Sequence, residues 1–251
     1  MNSSFGQVSV GDVDLIVVRS WWESGVVHGM TTRPLSFVAG ESDEAVSLLC
    51  GAVGATALAA PKQCHGNEAI DLRASAVLER ALAQSGGSMC RFREGDALLA
   101  PTVSQQAVAF GVMSADCVPV IVRGEDGWAL IHAGWRGLAN GVIREAVGKL
   151  RAPVEAAVFP CAGGDAYEVG QEVVSAIGTT AVCREQTGRD GRFLLDAAAT
   201  AVNQLRAISP TLKVASSGLC TITDTRFHSY RRDGERAGRA VTFLLPAQGN
   251  P

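Results

Sequence analysis

The chain is poor in the residues and signatures that announce most functions. Its 251 residues include four histidines (His28, His65, His132 and His228) and two tyrosines. HExxH, the HxE with PCxxC of cytidine-type deaminases, GxSxG and the phosphate-binding P-loop are all missing. With them go the familiar local signatures of zinc proteases, base deaminases, serine hydrolases and nucleotide hydrolases. No apolar run approaches the roughly 18 residues of a membrane-spanning helix. Short segments such as Val118 to Val122 are ended by charge or glycine. A formal net charge of −3 offers no electrostatic reason to expect nucleic acid or an anionic membrane surface as a partner. The seven cysteines have no regular spacing, and the opening MNSSFGQVSV has neither the cationic nor the apolar region of a secretory signal. A reducing cytoplasm is therefore the expected location. There is no internal repeat and no linker-like low-complexity stretch, since the pair Gly86 and Gly87 reads as a short polar loop.

What is present is an ordinary globular composition, 47% hydrophobic and 19% charged, which supports a sizeable core without disulfide staples. The length allows one large domain or two small ones, and without a linker a single domain over residues 1–251 is the simpler expectation. Apolar or alternating stretches at Val8 to Val18, Ala107 to Met113, Val118 to Val122, Trp128 to Ile131, Ala156 to Phe159, Leu212 to Ser216 and Ala240 to Leu245 predict strands, several buried on both faces. Helical spacing follows Arg136 through Leu138, Val142, Ala146 and Leu150, and recurs from Asp196 to Ala207. Further helices are predicted from Asp43 to about Leu58, with Ser42 as N-cap, and from Val169 to Ile177. Hairpins mixed with strand-helix-strand units predict a mixed α/β (α+β) fold, in which a sheet of parallel and antiparallel strands is covered by helices.

His132 ends the apolar segment WALIH and is followed by AGWRG before a helix, which places it at a carboxyl strand end. In sheets with crossover helices, that edge is where ligands collect. Cys117 is placed comparably, because AVAFGVM runs into Ser114, Ala115, Asp116 and Cys117, and Pro119 then restricts Val118. His65 lies in KQCHG, a polar turn in which Gly66 permits close approach of backbone to a ligand. If the segment is extended, Gln63 and His65 share one face and Cys64 takes the other. That makes Gln63 a candidate substrate contact and removes Cys64 as a ligand. Taken one at a time, such residues are more commonly hydrogen-bonded histidines and buried cysteines, and their spacing matches no local zinc motif.

The segments KQCHGNEA, GDALLA, MSADCVPV, HAGWRGLANGVI, PCAGGDAYEVG, LLDAAATAVNQL and CTITDTRFHSYRRDGERAGR occur in this order. Together they resemble the YfiH family, also called the laccase-domain or polyphenol-oxidase family, from His28 to about Phe243. The resemblance implies a YfiH-like fold and a metal, usually zinc, held by His65, Cys117 and His132. Three protein ligands leave the fourth tetrahedral position open to water, as in catalytic zinc sites. It also implies purine nucleoside chemistry: phosphorolysis of adenosine, inosine, guanosine and methylthioadenosine, and deamination of adenosine. The small-molecule partners are then a nucleoside and phosphate. Asp116 is a candidate proton shuttle or a residue that orients a ligand. Arg136 and Arg231 are candidates for forked contacts to phosphate, and Tyr230 for stacking on a base. For the arginines of the RRDGERAGR turn, pairing with Asp233 and Glu235 at the surface is the plainer alternative.

Two other chemistries use the same residues. A multicopper laccase needs many histidines in HxH pairs, and this chain has none, which excludes a trinuclear cluster. A single copper remains compatible with two histidines, a cysteine and an axial methionine such as Met113. Alternatively, Cys117 activated by His132 would be the nucleophile of a hydrolase or amidase acting on peptidoglycan precursors. The oligomeric state is not legible in the sequence.

Overall fold

Gly11, at φ 57°, makes a two-residue turn that splits the N-terminal apolar run into antiparallel strands Phe5–Val10 and Val13–Val18. The computed structural model describes residues 4–38, 43–85 and 89–249. Ser42, Gly86 and Gly87 lie outside the described residues. The strands form two large sheets where one was expected. The first runs in the order Phe5–Val10, Val13–Val18, Val27–Thr31, Ala240–Leu245, Val108–Ser114, Ala57–Lys62, Met89–Glu94. The second runs Lys213–Ser216, Glu155–Val158, Val118–Arg123, Trp128–Ala133, Ala97–Ala100, Ala69–Asp71. Both mix parallel and antiparallel pairs.

The sheets pack face to face. Phe5, Ile16, Phe110 and Leu244 of the first meet Leu98, Ile121, Leu130 and Ala157 of the second in one buried cluster. The outer face of the first sheet buries Leu15, Val17, Leu58 and Phe243 against Val46 and Leu49 of helix Asp43–Val53. The outer face of the second buries Val120, Ile131 and Val158 beneath Leu138, Val142, Ala201 and Leu205. The continuous apolar run Val118 to Val122 follows from this layering: Val118, Val120 and Val122 face the helices while Ile121 faces the other sheet.

Helix ends depart from the sequence expectation where glycine takes a left-handed backbone. The helix begun at Asp43 stops at Val53 because Gly54 adopts φ 74°, and Ala57–Lys62 is a strand. The segment after Arg136 is two helices, Trp135–Asn140 and Val142–Val147, broken at Gly141 with φ 78°. Glu168–Gly170 is a short strand, so the next helix begins at Gln171. Asp196 caps helix Ala197–Ile208 by accepting from Ala199 N at 2.8 Å. Helix Ser75–Ser85 and strands Val27–Thr31 and Met89–Glu94 were not expected from the sequence. No helix among the described residues is long and apolar enough to cross a membrane.

One feature of the topology positions the site. Strands Ala57–Lys62, Met89–Glu94 and Val108–Ser114 run parallel in the first sheet. Each is followed in the chain by a strand of the second: Ala69–Asp71, Ala97–Ala100 and Val118–Arg123 respectively. Three crossings between the sheets therefore gather at one end of the sandwich.

His28 is fully buried near Trp21 and Phe159. Its Nδ1 donates to Val26 O at 2.8 Å and its Nε2 accepts from Val18 N at 3.0 Å, a pairing that requires the neutral ring. Burial, opposed by the Val26 hydrogen bond, lowers its pKa from 6.5 to about 4. The unfolded chain takes up this proton first, so the ring's contribution to stability is complete above about pH 6.5 and is lost as pH falls toward about 4. Urea unfolding across that window should show a steeper loss of stability for wild type than for His28→Gln. Equal slopes would refute the assignment.

Candidate functional site

The three crossings bring together residues far apart in the chain. Because Ala57–Lys62 and Val108–Ser114 are parallel and in register from Ala57 opposite Val108, the turns beyond them emerge side by side. One turn carries His65 and the other Cys117. Val118–Arg123 then pairs antiparallel with Trp128–Ala133, Val118 opposite Ala133 and Pro119 opposite His132, which returns His132 to the same place. Cys117 Sγ lies 3.8 Å from His65 Nε2. The rings of His65 and His132 stand edge to face with centroids 5.0 Å apart. One donor atom from each of the three residues lies within 4.8 Å of the others.

Asp96, in the second crossing, holds this arrangement and is fully buried. Its Oδ1 accepts from His65 N at 3.0 Å and pairs with His132 Nδ1 at 2.8 Å. Its Oδ2 accepts from Gly66 N at 2.7 Å and Cys64 N at 3.2 Å. Three successive amides of a turn thus close on one carboxylate, an anion-binding nest. The turn is not extended as expected. His65 adopts φ 61°, and Cys64 Sγ donates to Asp96 Oδ2 at 3.3 Å instead of turning away by strand alternation. Nothing local in the sequence singles out Asp96, an acid two residues beyond Glu94 and directly before a buried strand. With Nδ1 of His132 committed to Asp96, its Nε2 is the atom left to face Cys117.

Burial would raise the Cys117 thiol, but His132 and His65 outweigh it and lower the pKa from 9.0 to about 6. Burial would likewise lower His132, but the Cys117 and Asp96 charges and hydrogen bonds raise it from 6.5 to about 9. Together the pair favours thiolate beside imidazolium in the metal-free protein. Gly134 supplies the room: a Cβ there would meet His65 Cδ2 at 2.9 Å and Cys117 Sγ at 3.1 Å.

The cluster opens into a cavity of about 1150 Å³ that His65, Cys117, His132, Gln63 and Tyr230 all line. Gln63 spends both ends of its amide on Met113, donating to its carbonyl at 2.7 Å and accepting from its N–H at 2.8 Å. It clamps the two turns together. Asp116, at φ 95°, accepts from Thr221 Oγ1 at 2.6 Å and from Arg231 N at 2.7 Å, so both carboxylate oxygens tie down neighbouring loops. Arg136 is exposed, its guanidinium 4.4 Å from the centre of the Trp135 ring, and does not line the cavity. Neither does Arg231, which donates to Glu168 O at 2.9 Å and covers Tyr167. The arginines that do line it are Arg33, Arg91, Arg236 and Arg239. Arg236 has no ion-pair or hydrogen-bond partner among the described residues, while Arg33 stands 3.7 Å from Asp233. Arg33 and Arg91 carried no local signal, since strand pairing alone brings them to this end.

A family model described as multi-copper polyphenol oxidoreductase laccase matches residues 38–246. A purine nucleoside phosphorylase of Xylella fastidiosa is 38% identical over 192 residues, covering 72% of this chain and 69% of the relative. One from Aquifex aeolicus is 37% identical over 158 residues, covering 61% and 72% respectively. Among solved structures, a Neisseria meningitidis protein of the DUF152 family aligns with TM-score 0.69 at 26% identity, covering 98% of this chain and all of that one. YfiH of Bacillus licheniformis aligns with TM-score 0.77 at 20% identity over 97% of this chain and 99% of that one, which shows the shared fold.

In the metal-free protein, the pH dependence of Cys117 alkylation, followed on its own peptide by mass spectrometry, should report a pKa near 6. His132→Gln should return it toward 9.0. A variant profile still centred near 6 would show that His132 does not stabilise the thiolate.

Proposed function

The chain belongs to the multi-copper polyphenol oxidoreductase laccase family, and from that premise we propose that it is a metal-dependent purine nucleoside phosphorylase that also deaminates adenosine. The observation that carries the proposal is the cluster of His65, Cys117 and His132 in the wall of a cavity that four arginines also line. Two histidines and a cysteine do not supply a multinuclear copper centre, and the other two histidines stand outside the cluster: His28 is buried between the sheets, and His228, whose Nε2 donates to Leu35 O, lies elsewhere on the cavity wall.

The donor set suits a single zinc ion. Two imidazole nitrogens and a sulfur already favouring the thiolate form are zinc ligands, and Gly134 leaves the space between them clear. Copper shares this donor chemistry, with Met113 lining the same cavity. Bound there, the metal would supply Lewis-acid polarisation of a substrate atom. The chain's own groups do the rest. Asp96 fixes the tautomer and ring orientation of His132 and holds the backbone that carries His65. Arg236, which has no partner among the described residues, offers charge-assisted hydrogen bonds to inorganic phosphate together with Arg33 and Arg239. Tyr230, half exposed on the wall, offers a face for the purine. In phosphorolysis a phosphate oxygen bonds to C1′ as the C1′–N9 bond breaks, and its electron pair leaves with the base, which takes up a proton. Deamination replaces the C6 amine with a water-derived oxygen and releases ammonia. Asp116 acts here as a positioning residue, since both its oxygens are engaged.

A second reading rests on a specific alignment: Asp96, His132 and Cys117 stand in the order of an acid, a base and a nucleophilic thiol. It would make the protein a thiol hydrolase or amidase, and chelation separates the two. The metalloenzyme loses activity with its metal and regains it with zinc, whereas the thiol hydrolase survives chelation and is killed by alkylation.

Purified wild type should carry about one zinc per chain, one ion for the one cluster. It should cleave inosine only when phosphate is present, and Cys117→Ala should lose both metal and turnover. Zinc and turnover persisting together in that variant would sink the proposal. Arg236→Ala should raise the KM for phosphate roughly tenfold, the worth of a charge-assisted contact, with little change in the KM for inosine. An unchanged phosphate KM would place the anion elsewhere.

A further inference from the structure

Among the described residues, one ring nitrogen of His228 in the cavity wall has no partner. The ring is 7% exposed and lines the same cavity as His65, Cys117 and His132. Its Nε2 lies 2.7 Å from Leu35 O. A carbonyl oxygen only accepts, so Nε2 carries the proton and Nδ1 of the neutral ring is a bare acceptor. Burial lowers the pKa of this ring; the Leu35 hydrogen bond and Asp233 oppose the shift, while Arg33 and Arg239 reinforce it, so the ring is neutral near pH 7. Nδ1 has no hydrogen-bond partner among the described residues and is not among the sealed, unpartnered atoms of the interior. Gly238 packs beside that edge, where only glycine fits: a Cβ would meet Cε1 at 2.5 Å and Nδ1 at 2.7 Å.

The neighbours of His228 narrow what this acceptor can meet. Arg33, Arg236 and Arg239 share the cavity and suit phosphate. Phosphate must approach C1′ to roughly 3–3.5 Å, and the 2′-hydroxyl sits on the adjacent carbon. The donors on the base, the C6 amine of adenosine and the N1–H of inosine, lie at the far end of the purine from C1′, and N3 and N7 only accept. Resting on the phosphorolysis reading above, we propose that His228 Nδ1 accepts a hydrogen bond from the ribose 2′-hydroxyl and makes His228 a specificity-determining residue for ribonucleosides over 2′-deoxyribonucleosides.

The test is the kcat/KM for inosine and 2′-deoxyinosine, at saturating inorganic phosphate, in zinc-loaded wild type, His228→Phe and His228→Asn. Wild type should favour inosine by roughly tenfold or more, the discrimination of a site built to bind a hydroxyl. His228→Phe should bring the ratio toward parity mainly by slowing inosine. His228→Asn, whose amide oxygen falls near the place of Nδ1, should retain much of it. Parity in wild type overturns the inference without recourse to any variant. A folded His228→Phe, judged by its thermal midpoint, that keeps the wild-type ratio also overturns it. Turnover of neither nucleoside by wild type overturns the functional reading and this inference with it.

Discussion

The carboxylate of Asp96 is the fixed point of the site. It accepts from the amides of Cys64, His65 and Gly66 and from the ring of His132, and it is wholly buried while doing so. Each of those donors would otherwise be an unsatisfied polar group or a rotor. The left-handed backbone of His65 is strained for a non-glycine residue, and the three converging amides are what hold it. His65 lies in the turn after a strand of the first sheet and His132 in a strand of the second, and one anion holds the backbone of the former and the ring of the latter. Asp116 repeats the device on a smaller scale, with a positive φ and two occupied oxygens beside Cys117.

That carboxylate can act only because the chain passes between the sheets three times at the same end. Parallel pairing of Ala57–Lys62 with both Met89–Glu94 and Val108–Ser114 aligns the carboxyl ends, so the turns bearing His65, Asp96 and Cys117 are neighbours. The antiparallel pair Val118–Arg123 and Trp128–Ala133 adds His132 from the second sheet. Strand Ala240–Leu245 starts opposite Ser114, so Gly238 and Arg239 just before it reach the cavity as well.

The electrostatics explain why two chemistries compete for one set of residues. A thiolate beside an imidazolium is the resting state of a thiol nucleophile, and a thiolate beside two imidazoles is a zinc site. Both demand a deprotonated sulfur, which His132 and His65 secure against the cost of burial. The four arginines on the cavity wall supply the positive charge that the proposed phosphorolysis asks of the site for its anionic co-substrate.

Much of this was legible in the residues. Period-two and continuous apolar runs located the strands Val118–Arg123, Trp128–Ala133 and Ala240–Leu245 within a residue or two, because burial on one or both faces writes itself into local pattern. Helical spacing located Ala197–Ile208. The same pattern missed the breaks at Gly54 and Gly141, where backbone conformation rather than hydrophobicity ended the helix. His65, Cys117 and His132 could be named from their motifs. Asp96 could not be given its role, because an acid before a strand has no meaning until its partners from other segments arrive. Arg136 and Arg231 looked like phosphate ligands by proximity in sequence, yet Trp135, Tyr167 and the Glu168 carbonyl occupy them. The sequence by itself determined several of the buried strands and helix Ala197–Ile208, which are local properties, and its resemblance to a known family singled out His65, Cys117 and His132. Only the tertiary structure decided which carboxylate orients them, which arginines face them and which histidine keeps an open acceptor. Those are contacts between distant segments, set by strand pairing that no local pattern encodes.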